Sequence, residues 1–304
     1  MGFDTSFHPI PSALIGERLL PWILGTTEED ALDDLFLDAL RISKVRFCAN
    51  AWGLGVGQLS SPPEVFQPHL YIWGRPFLVT GSSTEQIAHE IDAWLTVPLS
   101  KADELAKQML DQLHPQLGQI VQKSTGGTLP PDHKLLPQIR AVPRLMRDCV
   151  HGVRTQTPTI NFNGSELDPA QVLTRDLTSA VLGFAAVFRP GWMSRGLTWP
   201  THLLHSHPVR NHFSMNLELI HTVVNALPEL EWVVEDTITE NYSVGGCASL
   251  DHLGEIREAL QSLTDPDYQL EVQKLREALS DAIFRGLPFA EATEIYSGFG
   301  GVLN

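Results

Sequence analysis

The stretches with a strand-like pattern are few and far apart, and this spacing constrains the fold more than any other feature. They lie at 68–80, 157–162 and 230–244, with a short alternating segment at 3–8 ahead of them. A series of β-α-β units needs strands that alternate regularly with helices. We therefore exclude a parallel α/β architecture and predict a mainly helical α+β fold, with about nine helices and a few short antiparallel strands.

Much of the remaining chain carries apolar residues at helical spacing. The clearest case is 169–188, which begins at a proline and is apolar enough to form a central helix. Thr27 and Asp30 indicate a near-capping box at the start of another helix. The sequence also predicts a loop over 52–68, a turn at Asn163–Gly164, helix interruptions at Pro115, Pro137 and Pro143, and a last short helix in PFAEATEIYSGFGGVLN after Gly286.

Length and composition favour one compact folded unit over residues 1–304. The chain has 304 residues, of which 43% are hydrophobic and 19% charged, so it can bury a sizeable core. The segment at 124–134 has the composition of a linker, and a sub-division near 155–166 is the alternative that we keep open. The sequence has no internal repeat and no low-complexity tract, so it gives no indication of a repeat protein.

The formal charge of −15 indicates which partners suit the protein. Nucleic acid and anionic membranes need a surplus of Lys and Arg, so we exclude both. Acids are concentrated in two runs without a base, at 28–38 and 229–240, and either run would attract a basic protein. Four arginines lie between 140 and 154, where we expect them to pair with the acidic helices. The candidate partner-binding residues are Glu28, Glu29, Asp33, Glu229, Glu231, Glu235 and Asp236.

The three cysteines and the amino-terminal residues indicate a cytoplasmic protein. Cys48, Cys149 and Cys247 are widely spaced and form no metal-type pair such as CxxC, so reduced core thiols are expected. The opening MGFDTSFHPI lacks the basic and apolar regions of a signal peptide. A lowered thiol pKa at the GGC turn before a helix would make Cys247 reactive, but a small buried cysteine is the expectation we favour.

Five of the twelve histidines lie between 201 and 221, and these are the strongest local indication of chemistry. A zinc site needs three or four convergent N, S or O ligands. The hydrolase pattern HxHxDH would need aspartate where Val209 stands, and HExxH is absent. The structural alternative is that the histidines decorate a loop and the start of a helix. The candidate metal ligands are His202, His205, His207 and His212, completed by a carboxylate of Glu218, Glu235 or Asp236.

The two ends of the chain, MGFDTSFHPI and RGLPFAEATEIYSGFGGVLN, resemble uncharacterised bacterial cytosolic proteins. The resemblance covers some thirty residues, includes no known catalytic motif and implies no activity. From the residues themselves no catalytic side chain is assigned, since GxSxG and phosphate-loop patterns are absent.

Two functions follow as expectations. The first is a non-catalytic acidic protein that binds a basic protein and needs no cofactor. An immunity-type inhibitor of a basic protein toxin is one instance of it. The alternative is a metal-dependent hydrolase that uses the histidines of 202–221 with zinc or another divalent metal.

Overall fold

The computed structural model describes residues 4–59, 77–124, 128–195, 198–235, 238, 241–263 and 268–295. Within these residues it is mainly helical, with a small antiparallel sheet, which confirms the predicted fold class. The helices are α1 (Leu20–Ile23), α2 (Asp33–Gly57), α3 (Thr84–Thr96), α4 (Ala102–Leu113), α5 (Leu117–Ile120), α6 (Asp132–Thr155), α7 (Pro169–Phe188), α8 (Pro200–Leu203), α9 (His221–Ala226), α10 (Leu253–Gln261) and α11 (Gln269–Arg285). The strands are β1 (Asp4–Pro9), β2 (Ile160–Phe162), β3 (Ser165–Leu167), β4 (Trp192–Arg195), β5 (Phe213–Ser214), β6 (Val244–Ala248) and β7 (Phe289–Thr293).

Five strands form one antiparallel sheet in the order β4-β1-β7-β6-β5. The central strand β7 pairs with β1 in the register Phe7↔Glu291 and with β6 in the register Ala248↔Phe289. All residues of β6 and β7 are buried. This sheet is therefore covered on both faces, unlike an antiparallel sheet that leaves one face in water.

Helices cover both faces of the sheet. On one face, Ser194 donates a hydrogen bond to the Glu271 carboxylate of α11. On the opposite face, His8 of β1 lies close enough to Arg46 of α2 for its pKa to respond to that charge. Beside this layer α6 packs along α7, and the core extends from Phe7 in β1 to Ile295 after β7.

Several sequence predictions agree with the structure. The helix α7 spans the predicted range, and Asp168 caps it by accepting hydrogen bonds from the N–H groups of Ala170 and Gln171. A hairpin of β2 and β3 turns at Asn163 and Gly164, whose φ angles are +51° and +85°. The break at Pro115 is also present, because α4 ends at Leu113.

Other predictions are wrong, mostly where short segments are buried. The segment after Gly286 begins with the central strand β7, not a helix. Residues 231–235 form no strand, and the strand of that region is β6, which starts at Val244. Residues 77–80 are irregular, whereas the rest of the predicted strand at 68–80 lies outside the described residues.

Two helices also run further than the sequence predicts. The helix α2 starts at Asp33, not near Thr27, and continues to Gly57 through part of the predicted loop. A side chain at Gly55 would lie 2.0 Å from the carbonyl oxygen of Gln122, so glycine allows this close backbone approach. The helix α6 is continuous, with Pro137 and Pro143 inside it.

Among the described residues, no helix combines the length and apolar character that crossing a bilayer requires.

Candidate binding cleft

A cleft of about 1070 Å³ lies between α6 and α7 and is bordered by the irregular segments before β6 and after β7. Its walls come from parts of the chain that are far apart in sequence. The helices contribute Ser43, Gln138, Ile139, Val142, Pro143, Leu145, Met146, Gln171, Thr174, Arg175, Asp176, Thr178, Ser179, Ala180, Gly183, Phe184 and Val187, and the remaining segments contribute Asn216, Val233, Glu235, Asn241, Tyr242, Ser243, Glu294 and Ile295.

The floor of the cleft is apolar with a few buried polar groups. Met146 and Phe184 are buried there, as are the side chains of Ser43 and Thr178. Ser43 is 5% exposed, and its hydroxyl has no hydrogen-bond partner within the described part of the chain. A buried hydroxyl without a partner loses its hydration energy, so Ser43 is a polar group that destabilises this part of the floor.

The segment that leads to the cleft from Glu229 is fixed in place by backbone hydrogen bonds. The N–H of Asn216 donates to the carbonyl oxygen of Glu235 at 2.9 Å, and the N–H of Glu235 donates to Asn216 Oδ1 at 3.0 Å. The N–H of Val233 donates to the carbonyl oxygen of Thr174 in α7 at 3.3 Å. These bonds present Val233 and Glu235 to the cleft without a regular strand.

The rim of the cleft exposes apolar side chains beside carboxylates. Val142 and Val233 are exposed lining residues, and Tyr242 is 64% exposed. The Tyr242 hydroxyl donates a hydrogen bond to the Glu294 carboxylate, which raises the pKa of Tyr242. Both residues have left-handed backbones, with φ of +61° and +53°, a conformation that costs energy for residues other than glycine.

Acids outnumber bases in this lining. Arg175 forms a two-point ion pair with Asp176, with N–O distances of 2.8 and 3.0 Å. Glu235 and Glu294 add two further carboxylates, and no second arginine or lysine lines the described cleft. The cleft therefore favours a group that carries positive charge.

The two acidic runs differ in their surroundings. In the run at 28–38, Asp33 pairs with Arg140 at 2.8 Å and Glu29 pairs with Arg144, both arginines of α6. Asp34 and Asp38 pair with Arg18 and Arg41. This agrees with the prediction that the basic segment pairs with the acidic helices.

The second run carries acids that face solvent. Glu229 and Glu231 are exposed and form no ion pair with any residue that the structure describes. Glu235 lines the cleft, whereas Asp236 and Glu240 lie outside the described residues. Glu28 in the first run is also exposed and without an ion pair in the described chain. The assignment of all these acids to a partner surface stays a prediction.

The predicted histidine ligands do not all come together. His202, His205 and His207 are exposed around α8 and the turn that follows it. His205 Nδ1 lies 3.1 Å from the carbonyl oxygen of His202, and His207 Nδ1 accepts a hydrogen bond from the N–H of Val209. Among the described residues, these three belong to no group of three side chains within reach of one ion.

His212 belongs to a different cluster, with His252 and Glu255. Its Nε2 lies 2.9 Å from Glu255 Oε2, and its ring stacks on the ring of His252 with centroids 4.0 Å apart. Sequence reasoning missed His252 and Glu255. The signal was their spacing of three residues at the start of α10, which places both side chains on one helix face.

Three of the buried ionisable groups lie in the described sheet: Glu291, His8 and Cys247. Burial raises the pKa of Glu291 to about 7, although its carboxylate accepts hydrogen bonds from Thr201 and from the N–H of Gly246. Burial lowers the pKa of His8 to about 3, assisted by the charge of Arg46. Cys247 is buried, and burial raises its thiol pKa to about 12, so the expectation of an unreactive core cysteine holds.

No protein-family model matches the chain, and no match is found among curated proteins or among solved structures.

Proposed function

We propose that this is a non-catalytic binding protein whose cleft between α6 and α7 holds a segment of another protein that carries both basic and apolar side chains. The observation that supports the proposal is the combination, in one cleft, of exposed apolar residues with an excess of carboxylates. An apolar floor would bury aliphatic side chains, and the carboxylates would accept hydrogen bonds from Lys or Arg.

The cleft is large enough to hold a polypeptide segment. Sites for small ligands are usually about 300–1000 Å³ in volume, and this cleft is about 1070 Å³. A volume at or above the upper limit accommodates several side chains of an extended or helical segment. Helices that insert into apolar grooves use such anchors at regular spacing.

The acids outside the cleft would assist association. Glu229 and Glu231 precede Val233 and Glu235 in the segment that borders the cleft. Carboxylates near a binding site increase the association rate with a basic partner, and salt weakens the effect. An inhibitor that neutralises a basic protein toxin is one instance of a protein with this design.

The experiment selects 12-residue peptides from a displayed random library on the purified protein. We expect the selected peptides to be enriched in Lys or Arg together with aliphatic residues, and to bind at the cleft. Selection of no peptide, or of peptides without basic residues, would contradict the proposal.

A matched pair of variants tests whether these peptides occupy the cleft. Gly183 lies on α7 and lines the cleft, where a Cβ would meet only Ile295 Cγ2 at 3.9 Å. Gly183→Phe should block part of the cleft beside α7 and weaken peptide binding by at least about tenfold, or about 1.4 kcal/mol. Gly183→Ala is the control, because it adds one methyl group and should leave binding within about twofold while stabilising the helix.

A further inference from the structure

Three side chains of types that bind metal ions, His212, His252 and Glu255, lie together in the fold. His212 and His252 are 40 residues apart in the chain. His212 ends the 3₁₀ turn Pro208–His212, and His252 ends the 3₁₀ turn Leu250–His252, immediately before α10. Glu255 lies in the first turn of α10. The fold therefore brings together one histidine of the predicted histidine stretch and a His-x-x-Glu pair that is remote in sequence.

The geometry of the three is close to that of a coordination site. One nitrogen of each histidine and one oxygen of Glu255 all lie within 4.8 Å of one another. Ligands about 2.0–2.2 Å from a tetrahedral zinc ion are separated by about 3.3–3.5 Å. The distance of 2.9 Å between His212 Nε2 and Glu255 Oε2 is slightly below that separation. The rings of His212 and His252 are stacked, so one imidazole has to turn before both nitrogens face the same ion.

We propose that His212, His252 and Glu255 bind a divalent transition-metal ion of the zinc type. Two histidines and one glutamate form a ligand set that leaves a coordination position open to water. Glu255 is 64% exposed at its side chain, whereas His212 is partly buried, so the carboxylate is free to adjust to the ion while the ring holds its place. This site does not depend on the cleft or on the proposed function.

The test uses zinc alone as the ligand of the purified, untagged full chain. Isothermal titration with ZnCl₂ measures affinity and stoichiometry, and titration with CoCl₂ reports ligand geometry through its visible absorption. We expect one zinc ion for each chain, and cobalt bands of a four- or five-coordinate site. His252→Gln and Glu255→Gln should each weaken zinc binding by at least about tenfold.

The double variant His205→Gln/His207→Gln is the matched control, because these exposed histidines are close in sequence but outside the cluster. It should bind zinc with wild-type affinity. His212 is not used to discriminate, since it belongs both to the cluster and to the ligand set expected from the sequence. Thermal unfolding of each variant without metal verifies that the fold is retained. Glu255→Gln should disturb the fold least, because Glu255 is exposed.

Three results would overturn the inference. One is the absence of zinc binding at micromolar protein, which would leave the cluster as a hydrogen-bonded contact between two turns. Another is that His205→Gln/His207→Gln loses zinc binding whereas Glu255→Gln keeps it, which would place the ion on the histidines around α8. The third is equal weakening in all variants.

Discussion

The two acidic runs both carry several acids and no base, but they have different structural settings. In the run at 28–38, the acids lie on and before the start of α2, and four of them pair with arginines. In the run at 229–235, Glu229 and Glu231 face solvent, and the segment continues into the wall of the cleft. Charge alone does not show which run is available to a partner, because two of the arginines that neutralise the first run, Arg140 and Arg144, are remote in sequence.

The comparison indicates that the α6 arginines stabilise the fold, whereas the role of the second run in binding is our proposal. Arg147 and Arg154 support this, because they donate to the carbonyl oxygens of Trp22 and Leu24 at 2.5 and 2.6 Å. Substitutions should therefore distinguish the side chains that stabilise the fold from the carboxylates that we assign to the cleft.

The largest effect on stability is expected for a substitution of Glu291, whose carboxyl group is buried, unlike the carboxylates at the rim of the cleft. Its pKa of about 7 in the folded protein lies above the ordinary 4.5, so the folded state binds more protons than the unfolded state between these values. Its contribution to stability is therefore full below pH 4.5 and is lost as the pH rises through 7. In Glu291→Gln this dependence disappears. The difference in unfolding free energy, wild type minus variant, should fall by about 3 kcal/mol over that range.

Chemical denaturation at several pH values measures this difference. Using the difference removes the contribution of His8, which has the opposite sign: its lowered pKa costs stability as the pH falls from 6.5 towards 3. Glu229→Gln/Glu231→Gln is the control and should leave the pH profile of the wild type unchanged. A flat difference between wild type and Glu291→Gln would show that the buried carboxyl group does not titrate in this range.

The next effect concerns Arg147 of α6. Its guanidinium donates to the carbonyl oxygens of Trp22 and Thr27 and lies 4.8 Å from the centre of the Trp22 ring. Because Arg147→Ala removes two charged hydrogen bonds and a cation–π contact, it should lower the free energy of unfolding by about 2–3 kcal/mol. Arg144→Ala removes only an exposed pair with Glu29 and should cost less than about 1 kcal/mol. Equal costs for the two would refute the distinction.

The smallest effect on stability is expected for a paired acid of the first run. A double-mutant cycle of Asp33→Asn and Arg140→Gln should give a coupling energy of about 0.5 kcal/mol, since both side chains are partly exposed. The coupling should decrease further in 0.5 M salt. A coupling above about 2 kcal/mol would mean that this pair acts as a buried one.

Local chemistry explains which parts of the fold the sequence predicts. Pro169 and the Asp168 cap mark the start of α7, and Gly286 ends α11 with a φ of +65°. The strand β7 was missed because five fully buried residues have no amphipathic pattern, and its pairing partner β1 is nearly the whole chain away. The first strand and the turn of the β2–β3 hairpin were predicted because the turn signal is local, whereas the second strand was not.

The candidate sites were partly predictable for the same reason. The acids of 229–235 and His212 are visible in sequence, whereas the cleft needs Ser43, Phe184 and Glu294 brought together by tertiary packing. The partners of His212 are supplied by the turn before α10 and by the first turn of α10, and the contact of His212 with them has no sequence signal. Long-range packing, not local pattern, decides both sites.

The most direct test of the cleft as the binding site compares charge reversals of equal size in the two acidic runs. Glu229→Lys/Glu231→Lys changes the acids beside the cleft, and Glu28→Lys/Asp30→Lys makes the same change in charge on exposed acids of the first run. Stopped-flow association of a selected basic peptide at low ionic strength should be about tenfold slower for the first variant and within about twofold of wild type for the second. Equal slowing in both variants would show that only net charge matters, and would contradict binding at the cleft.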